Sequence, residues 1–514
     1  METKSLSRRD FLKIFSSATV SSGLSGLNIP NYRLLQPDRD LETPNIFIFL
    51  FDTLSARHMS LYGYKRDTTP NLKKFAEQAT VYHRHHAGGN WTPPGTATLF
   101  TGVYPWAHRS TTVYTQTLPE FTEKNIFQLV NEKRHTYAYT QNLLAESLLT
   151  QMNEYIENHP FIDQPGTYYY KPTMSWLSDN FHIGQWSDFL LEGNFSHPPG
   201  TPFFFYLMNN YYRYKIKQLT TRFGDEYPLG FSSIFPGVYS FLDQALEWVK
   251  NETVIMRQPA FGYFHLFAPH APYAPRSEFT NLFDDGLEFP EKEDHILSKK
   301  VDRETLLLKR QQYDEFIANV DHDFYKVIEH MQENGLLDNS YIIFTSDHGE
   351  MIERGILGHT TQTLYEPIIH IPLIIHAPGQ SERKDIYNPT SAVDILPTLC
   401  RITGVEIPDW AQGRILPGFS DEAPEDDRPI FSVEANENPK RARLSIATVA
   451  MIQWPYKLIH YFGYDEMPDG YELYNLETDP EELQNLISTH TEDANKLIEV
   501  MQAHLEEANK PFPI

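Results

Sequence analysis

Residues 45–52 read Asn-Ile-Phe-Ile-Phe-Leu-Phe-Asp, an unbroken run of six apolar residues that ends on a carboxylate. A continuous apolar run of this length is typical of a strand covered on both faces of a buried, largely parallel sheet. A second run, residues 341–345, is followed by the polar segment Ser346-Asp-His-Gly-Glu350. Because ligands of open α/β sheets gather at the carboxyl ends of strands, these two segments predict both a fold class and a place for a site.

The rest of the chain continues this alternation of strands and helices, which indicates an α/β fold. Thr69-Pro70 is expected to begin a helix that reaches about Ala79, and residues 94–101 a short helix that Gly102 stops. Residues 303–334 are predicted to form one long helix, ending at Asn334-Gly335. These elements predict a main catalytic α/β domain over residues 40–415.

Composition changes twice along the chain. Residues 145–250 are predicted to form an aromatic-rich insertion, since residues 201–215 alone hold seven aromatic residues. This insertion is expected to be an aromatic lid or satellite core, or else a substrate-binding wall. Residues 430–514 show alternating segments and a final amphipathic helix, which predict a small C-terminal α+β subdomain with an antiparallel sheet.

The amino terminus carries Ser7-Arg-Arg-Asp-Phe-Leu-Lys13, which resembles a twin-arginine export signal within residues 1–30. Residues 14–27 behind it are too short and polar to span a bilayer. We therefore expect export by the twin-arginine machinery to the periplasm, the cell envelope or the outside of the cell. A basic disordered tail is the alternative interpretation.

Charge and cysteine usage exclude several protein classes. The 43 Lys and Arg residues against 68 Asp and Glu give a net charge of −25, which argues against nucleic acid as a partner. The single cysteine, Cys400, excludes an intrachain disulfide and a cysteine-based zinc knuckle. The sequence does not indicate an oligomeric state.

Two carboxylates are predicted to meet at the strand ends. Asp52 follows one buried strand and Asp347 another, so the two charges would repel each other unless a cation lay between them. His348 adds an imidazole nitrogen, a ligand suited to a divalent transition ion. The alternative for either Asp alone is a turn former or a helix cap.

Three further residues are candidates for chemistry. Thr92 stands before Pro93-Pro94 at the start of a predicted short helix, either as a simple N-cap or beside an anionic group bound at the helix N-terminus. His270, in Pro269-His-Ala-Pro-Tyr273, and His359, after Gly358, are either surface histidines or site residues.

Taken together, these motifs resemble the sulfatase branch of the alkaline phosphatase superfamily. The resemblance covers residues 44–130 and 260–415, and the tail from Glu472 resembles the family's C-terminal subdomain. Its motifs in this sequence are Pro44-Asn45…Asp52, Tyr62-Gly-Tyr64, Thr69-Pro-Asn-Leu72, Leu99-Phe-Thr-Gly-Val-Tyr-Pro105, Pro269-His-Ala-Pro-Tyr273, Thr345-Ser-Asp-His-Gly-Glu350, Pro372-Leu-Ile-Ile375, Val393-Asp-Ile-Leu-Pro-Thr398 and Gln412-Gly-Arg414.

The resemblance implies a fold and a set of roles. The fold would be an alkaline-phosphatase-like α/β sandwich around a central mixed, mostly parallel sheet, followed by the small C-terminal subdomain. Asp52, Asp347 and His348 fall on metal-ligand positions, and Thr92 falls on the position of a metal-bound nucleophile. His270 and His359 fall where the family contacts the substrate's anionic group or leaving oxygen.

Three departures from the family pattern bear on the chemistry. Sulfatases place a Cys, later converted to formylglycine, and an Arg where this chain has Thr92 and Thr96, so formylglycine catalysis is excluded. Gln141 and Asn142 stand in place of the family's Gly-Lys-x-His element, and Thr53 replaces a second Asp. One divalent ion is expected, Mn²⁺, Zn²⁺, Mg²⁺ or Ca²⁺; with a His ligand the site suits Mn²⁺ or Zn²⁺ better than a hard-oxygen Ca²⁺ cage, and Mg²⁺ stays open.

These observations predict an exported, metal-dependent hydrolase or transferase that cleaves phosphate esters, or sulfate esters, through Thr92. A sulfuric ester hydrolase and an inactive member that binds an anionic ligand are the alternatives. The substrate is expected to be a small-molecule, lipid-headgroup or glycan ester. Arg57, Arg109 and Arg276 are candidates for local positive charge near the site.

Overall fold

The computed structural model describes residues 43–112, 116–160, 165–169, 202–235, 237–421 and 427–512. The twin-arginine segment and residues 170–201 of the aromatic insertion lie outside the described residues. Among the described helices, none is long and apolar enough to cross a bilayer.

The strands begin with the run that opens the sequence. In chain order they are β1 Asn45–Phe51, β2 Thr80–Tyr82, β3 His85–His86, β4 His135–Thr140, β5 Thr167–Tyr169, β6 Ser232–Phe235, β7 Val238–Ser240, β8 Ala260–Leu266, β9 Ser340–Thr345, β10 Ile352–Glu353, β11 Ile356–Leu357, β12 Leu373–His376, β13 Lys384–Ile386, β14 Thr390–Ser391, β15 Ile430–Glu434, β16 Ala447–Gln453, β17 Tyr456–Phe462 and β18 Gly470–Asn475.

The α-helices alternate with these strands. They are α1 Pro70–Ala76, α2 Thr92–Thr101, α3 Pro105–His108, α4 Ile126–Val130, α5 Leu143–Gln151, α6 Pro202–Phe223, α7 Leu242–Ile255, α8 Arg303–Glu333, α9 Glu366–Ile369, α10 Ile395–Thr403 and α11 Thr491–Asn509. The long helix ends one residue before its predicted end, whereas α1 ends three residues before Ala79. Helix α2 begins two residues earlier than predicted, at Thr92.

The central sheet has seven strands in the order β13-β2-β12-β9-β1-β8-β4. Strand β1 pairs in parallel with β8 and β9, and β4 pairs in parallel with β8. Strand β12 runs antiparallel to its neighbours β2 and β9, so the sheet is mixed and mostly parallel. The carboxyl ends of β4, β8, β1 and β9 therefore lie side by side at one edge of the sheet.

Both faces of the sheet are covered, as the uninterrupted apolar run in β1 predicts. Phe47, Phe49 and Phe51 pack with residues of α7 and α8 in one hydrophobic cluster. The alternate side chains of β1, beginning with Ile46, pack with residues of α2, α4 and α10 in a second cluster. Since successive side chains of a strand point to opposite faces, one seven-residue strand anchors both halves of the sandwich.

The C-terminal region is a four-stranded antiparallel sheet in the order β15-β16-β17-β18. Helix α11 packs against this sheet through Ala494, Leu497 and Met501. The predicted fold class, an α/β sandwich with a mixed sheet and a small α+β subdomain, is confirmed.

Candidate active site

The polar side chains of the site lie at the ends of four neighbouring strands. Asp52 directly follows β1, Asp347 lies two residues past β9, and Asn142 lies two residues past β4. His265 is the penultimate residue of β8, in register with Leu50. Because these strands are parallel neighbours, the four side chains meet at the same edge of the sheet.

A histidine that the sequence analysis did not single out lies beside both predicted carboxylates. Ligand atoms of Asp52, His265 and Asp347 all lie within 4.8 Å of one another, and all three residues are buried. His265 Nε2 lies 3.3 Å from Asp52 Oδ2 and 3.9 Å from Asp347 Oδ2. The signal in the sequence was a polar residue near the end of an otherwise apolar strand.

Two loop features hold the carboxylates in place. The Ser346 hydroxyl contacts the carbonyl oxygens of Phe51 and His348 and accepts the Leu54 N–H, which ties the loops after β1 and β9 together. Thr53 has φ 62°, a left-handed conformation that is costly for a β-branched residue. In this conformation its N–H is bonded to the Asp347 carboxylate.

Thr92 is the first residue of α2 rather than its N-cap, which is Trp91. Its hydroxyl accepts a hydrogen bond from Asn142 Nδ2 at 3.1 Å and lies 3.5 Å from His348 Nε2. This helix end offers fewer free N–H groups than usual, because Pro93 and Pro94 carry no N–H. An anionic group beside Thr92 therefore needs donors from elsewhere.

A glycine lets α2 approach the loop after β9. A Cβ added at Gly95 would lie 2.3 Å from the backbone oxygen of Asp347. No real side chain tolerates that distance, so this close contact is available only to glycine. The start of α2, with Thr92, is thereby held against the loop that carries Asp347 and His348.

The histidines around the carboxylates have defined hydrogen-bond partners. His348 Nδ1 faces the Gly349 carbonyl at 2.9 Å, so this nitrogen carries the proton and Nε2 presents its lone pair toward Asp52 and Asp347. His270 Nδ1 donates to the Ala271 carbonyl in the same way. His359 differs, since its Nδ1 lies 3.2 Å from the Glu350 carboxylate.

The histidine rings form one layer beside the carboxylates. The ring of His359 lies with its centroid 4.8 Å from that of His270 and 4.5 Å from that of His348. The structure thus brings together all six residues singled out in the sequence, namely Asp52, Thr92, His270, Asp347, His348 and His359. It adds His265, Asn142 and Glu350.

Burial and neighbouring charges shift the pKa values of the two carboxylates in opposite directions. Burial and the neighbouring charge of Asp52 raise the pKa of Asp347 well above its usual value. Burial also acts to raise the pKa of Asp52, but His270, His265 and His348 outweigh it and hold that pKa below its usual value. A cation bound between the two carboxylates would favour the ionised form of Asp347.

Burial divides the histidines into two kinds. It lowers the pKa of His348 and of His270, which keeps both rings neutral near pH 7. Burial also acts to lower the pKa of His359, but the Glu350 carboxylate outweighs it and raises that pKa. His359 is the ring that holds a positive charge most readily.

The donor set fits a divalent ion. Asp52 Oδ1 and Asp347 Oδ2 are buried oxygen atoms without a hydrogen-bond partner, which is costly for carboxylates unless a cation pairs with them. Asp52, Asp347, His348, His265 and Thr92 are the residues that could hold such an ion. Two carboxylates with imidazole nitrogens suit Zn²⁺ or Mn²⁺ better than an all-oxygen Ca²⁺ cage.

The arginines expected near the site are engaged elsewhere. Arg57 pairs with Glu481, and Arg276 pairs with Glu278 and Asp323. Arg109 is buried with its guanidinium 3.7 Å from the centroid of the Phe512 ring. The expectation that they supply local charge beside Thr92 is not supported.

Comparison with known families agrees with this arrangement. The family model described as Sulfatase matches residues 44–405, and the model described as N-sulphoglucosamine sulphohydrolase, C-terminal, matches residues 359–511. The chain belongs to the sulfatase family. The resemblance found in the sequence is confirmed, and with it the prediction of an enzyme of the sulfatase superfamily.

Similar proteins cover different parts of this sulfatase-family chain. An uncharacterized sulfatase, YidJ, from Escherichia coli strain K12 is 22% identical over 508 residues, which are 92% of this chain and 89% of that protein. Arylsulfatase K of Xenopus laevis is 31% identical over 183 residues, so the match spans 34% of this chain and 33% of that relative.

Solved structures of low sequence identity share the fold. The phosphonate monoester hydrolase of Agrobacterium radiobacter superposes with a TM-score of 0.65 at 20% identity, covering 91% of this chain and 96% of that one. The structure of BT4656, solved with D-glucosamine-2-N,6-O-disulfate, superposes with a TM-score of 0.60 at 19% identity, covering 91% and 98%.

Proposed function

We propose that this sulfatase-family protein is a metal-dependent enzyme that cleaves phosphate or phosphonate esters with Thr92 as its nucleophile. The observation that carries the proposal is the Thr92 hydroxyl, buried at the start of α2 and 3.5 Å from His348 Nε2. A hydroxyl is a weak nucleophile at its ordinary pKa and needs such an environment to react.

When bound, the divalent ion supplies positive charge that favours ionisation of the hydroxyl and offsets charge on the phosphoryl oxygens. The chain's own residues orient the hydroxyl and transfer the protons. Asn142 Nδ2 donates to both Asp52 and Thr92 Oγ1, which orients the hydroxyl toward the carboxylate pair. Thr92 Oγ1 releases its proton to solvent and forms a bond to phosphorus as the ester P–O bond breaks.

The two outer histidines take different roles. His359, whose pKa Glu350 raises, gives a proton to the leaving alkoxide. His270, neutral and with Nδ1 committed to Ala271, has Nε2 left as a base for the water that attacks the phosphorylated Thr92. That second displacement releases the phosphate and restores the threonine. An acceptor alcohol in place of water would make the protein a transferase.

Phosphorus chemistry is preferred over sulfur chemistry for two reasons. A sulfate ester on threonine lacks the hemiacetal exit that formylglycine provides, so its release would need a second attack at sulfur. Two solved structures of similar fold are, by their titles, phosphonate monoester hydrolases. The relatives named as sulfatases keep sulfuric ester hydrolysis as the competing function.

Turnover by the metal-loaded protein and by Thr92→Ala tests the proposal. The substrates are an aryl phosphate monoester, an aryl phosphodiester, an aryl phosphonate monoester and an aryl sulfate. We expect a phosphorus ester to be preferred, and Thr92→Ala to lose roughly 10³-fold or more in kcat. The matched control is Thr101→Ala, because that hydroxyl only donates to the Ala97 carbonyl within the same helix.

Three other outcomes of this experiment would contradict the proposal in different ways. Turnover that survives Thr92→Ala would exclude threonine as nucleophile. Preference for the aryl sulfate would establish a sulfuric ester hydrolase, and no turnover despite a bound ion would favour an inactive member that binds an anionic ligand.

We also propose that the twin-arginine machinery exports the protein. The support is the order Ser7-Arg-Arg-Asp-Phe-Leu-Lys13 at the amino terminus. Cell fractionation of the full chain and of an Arg8→Lys, Arg9→Lys variant tests this. Equal amounts of both outside the cytoplasm would contradict it.

A further inference from the structure

We infer that His265 is a ligand of the divalent ion, in addition to the residues that the sequence motifs indicate, and that it makes the site selective for a transition ion. The inference rests on the proposed function only in placing an ion between Asp52 and Asp347. His265 is fully buried, and its Nε2 lies between the two carboxylates.

Three separations in this group match those of ligands around one small ion, and a fourth, between Asp347 Oδ2 and His265 Nε2, is somewhat longer. His265 Nε2 lies 3.3 Å from Asp52 Oδ2, and His348 Nε2 lies 3.4 Å from Asp52 Oδ1. Asp347 Oδ2 lies 3.6 Å from His348 Nε2 and 3.9 Å from His265 Nε2. Ligands bound at about 2.0–2.2 Å in a tetrahedral zinc site lie roughly 3.3–3.6 Å from one another.

The opposite side of the ring has its own partner. His265 Nδ1 lies 3.0 Å from the hydroxyl oxygen of Tyr263, two residues earlier in β8 and also buried. When Nδ1 donates to this oxygen, the lone pair of Nε2 faces Asp52 and Asp347. A metal-ligating histidine characteristically donates its other N–H in this way, which fixes the tautomer and orients the ring.

The alternative role for His265 is a hydrogen-bond donor that positions Asp52. Its Nε2 would then carry the proton, and Tyr263 would donate to Nδ1. The distances favour a ligand, since 3.3 Å is long for a hydrogen bond to a carboxylate, where 2.7–2.9 Å is usual. One carboxylate oxygen of Asp347 also faces the ring without a hydrogen-bond partner.

A second imidazole changes which ion the site prefers. His348 and His265 together give two borderline nitrogen ligands beside two carboxylates. Calcium takes six to eight oxygen ligands and magnesium an oxygen-rich octahedron, whereas imidazole suits zinc, and to a lesser degree manganese. The site should therefore prefer Zn²⁺ to Mg²⁺ and Ca²⁺.

His265→Gln tests this role, because a glutamine places an amide oxygen near the position of Nε2. Chelator competition gives the dissociation constants for Zn²⁺, Mg²⁺ and Ca²⁺, and X-ray absorption of the zinc-loaded protein counts the imidazole ligands. We expect two imidazoles in the unchanged protein and one in His265→Gln, with zinc binding at least tenfold weaker and little loss for Mg²⁺ or Ca²⁺.

His376→Gln is the matched control, since His376 is also a buried strand histidine but bonds only the Gln78 and Leu337 carbonyls. It should keep two imidazoles and the unchanged zinc affinity. One imidazole in the unchanged protein, or unchanged zinc affinity in a folded His265→Gln variant, would overturn the inference.

Neither the metal affinity nor the number of imidazole ligands depends on turnover. Each of the two proposals can therefore fail without the other. Two imidazoles without cleavage of any ester would keep this inference and contradict the proposed function. One imidazole together with phosphate ester cleavage would overturn this inference and keep the proposed function.

Discussion

At the scale of single residues, His270 and His359 show how a neighbour decides what a histidine does. Both are candidates from similar loop motifs, and their ring centroids are 4.8 Å apart. His270 bonds a carbonyl, which is neutral, whereas His359 bonds the carboxylate of Glu350. An adjacent negative charge favours the imidazolium, and this difference supports the acid role proposed for His359.

Glu350→Gln should move the pH dependence of the reaction. Glu350 raises the pKa of His359, so the acidic form of the ring persists to higher pH and activity falls only above that pKa. Without the carboxylate charge, the alkaline limb of the kcat/KM profile should move to lower pH. The expected shift is about one pH unit, as is usual for losing one nearby charge.

The control for this shift is Glu437→Gln, which removes an exposed carboxylate that accepts a hydrogen bond from Gln362. Its profile should match that of the unchanged protein. An unmoved alkaline limb in Glu350→Gln would remove His359 from the acid role.

At the scale of elements, helix α2 and the loop after β9 act as one unit. Gly95 lies against the backbone of Asp347, and Thr92 lies less than one turn away on the same helix. Interiors are packed at near-crystalline density, so a displacement at Gly95 must move either Thr92 or Asp347.

Gly95→Ala should therefore damage activity more than stability. Its Cβ would lie 2.3 Å from the Asp347 oxygen, which forces the helix and the loop apart. We expect about 1–3 kcal/mol of lost stability in urea unfolding and a kcat lower by roughly 10²-fold.

Gly470→Ala is the comparison variant, because its Cβ would meet nothing nearer than 3.8 Å. Its stability and kcat should change little. A Gly95→Ala enzyme with normal kcat and metal affinity would show that this contact does not position the site.

At the scale of the whole molecule, a buried charge network joins the main domain to the C-terminal sheet. Lys457 in β17 is completely buried and pairs with Glu366 of α9 at 3.1 Å and with Glu482 at 2.7 Å. Burial acts to raise the pKa of Glu366, but Lys457 holds that pKa well below its usual value. The network also reaches His86 of β3, at 3.3 Å from Glu366.

Lys457→Met should destabilise the molecule and weaken the coupling of its two parts. The variant leaves two buried carboxylates without their cation, which costs about 3–5 kcal/mol for a buried pair. Urea unfolding followed by tryptophan fluorescence and by circular dichroism should give a lower midpoint. We expect the C-terminal sheet to separate as an earlier transition.

Lys496→Met serves as the reference, since Lys496 and Glu492 form an exposed pair on α11. Such pairs contribute between zero and about 1 kcal/mol. A Lys457→Met midpoint equal to that of Lys496→Met would mean that the buried network does not hold the two parts together.

Much of the site could be predicted from the sequence because its motifs are local. Asp52 and Asp347 each follow an apolar run that can only be a buried strand, and Thr92 stands in a proline-marked helix start. The absence of a cysteine from that position excluded formylglycine without any structure. Local patterns of this kind depend on neighbours within a few residues.

Other residues were decided by tertiary structure alone. His265 and Asn142 belong to β8 and the end of β4, and no local pattern states that these strands flank β1. Strand order depends on packing between segments more than a hundred residues apart, which a short sequence window does not contain. The contact of the Arg109 guanidinium with the Phe512 ring also joins residues that are far apart in the sequence.

The sequence by itself determined the fold class and the family and indicated Thr92 as the proposed nucleophile, because apolar periodicity and motifs are properties of the chain. Only the tertiary structure decided which histidine faces the carboxylates, which one has its pKa raised by a neighbouring carboxylate, and which arginines are engaged elsewhere. These depend on burial and on the charge of spatial neighbours, and both exist only once the sheet has assembled.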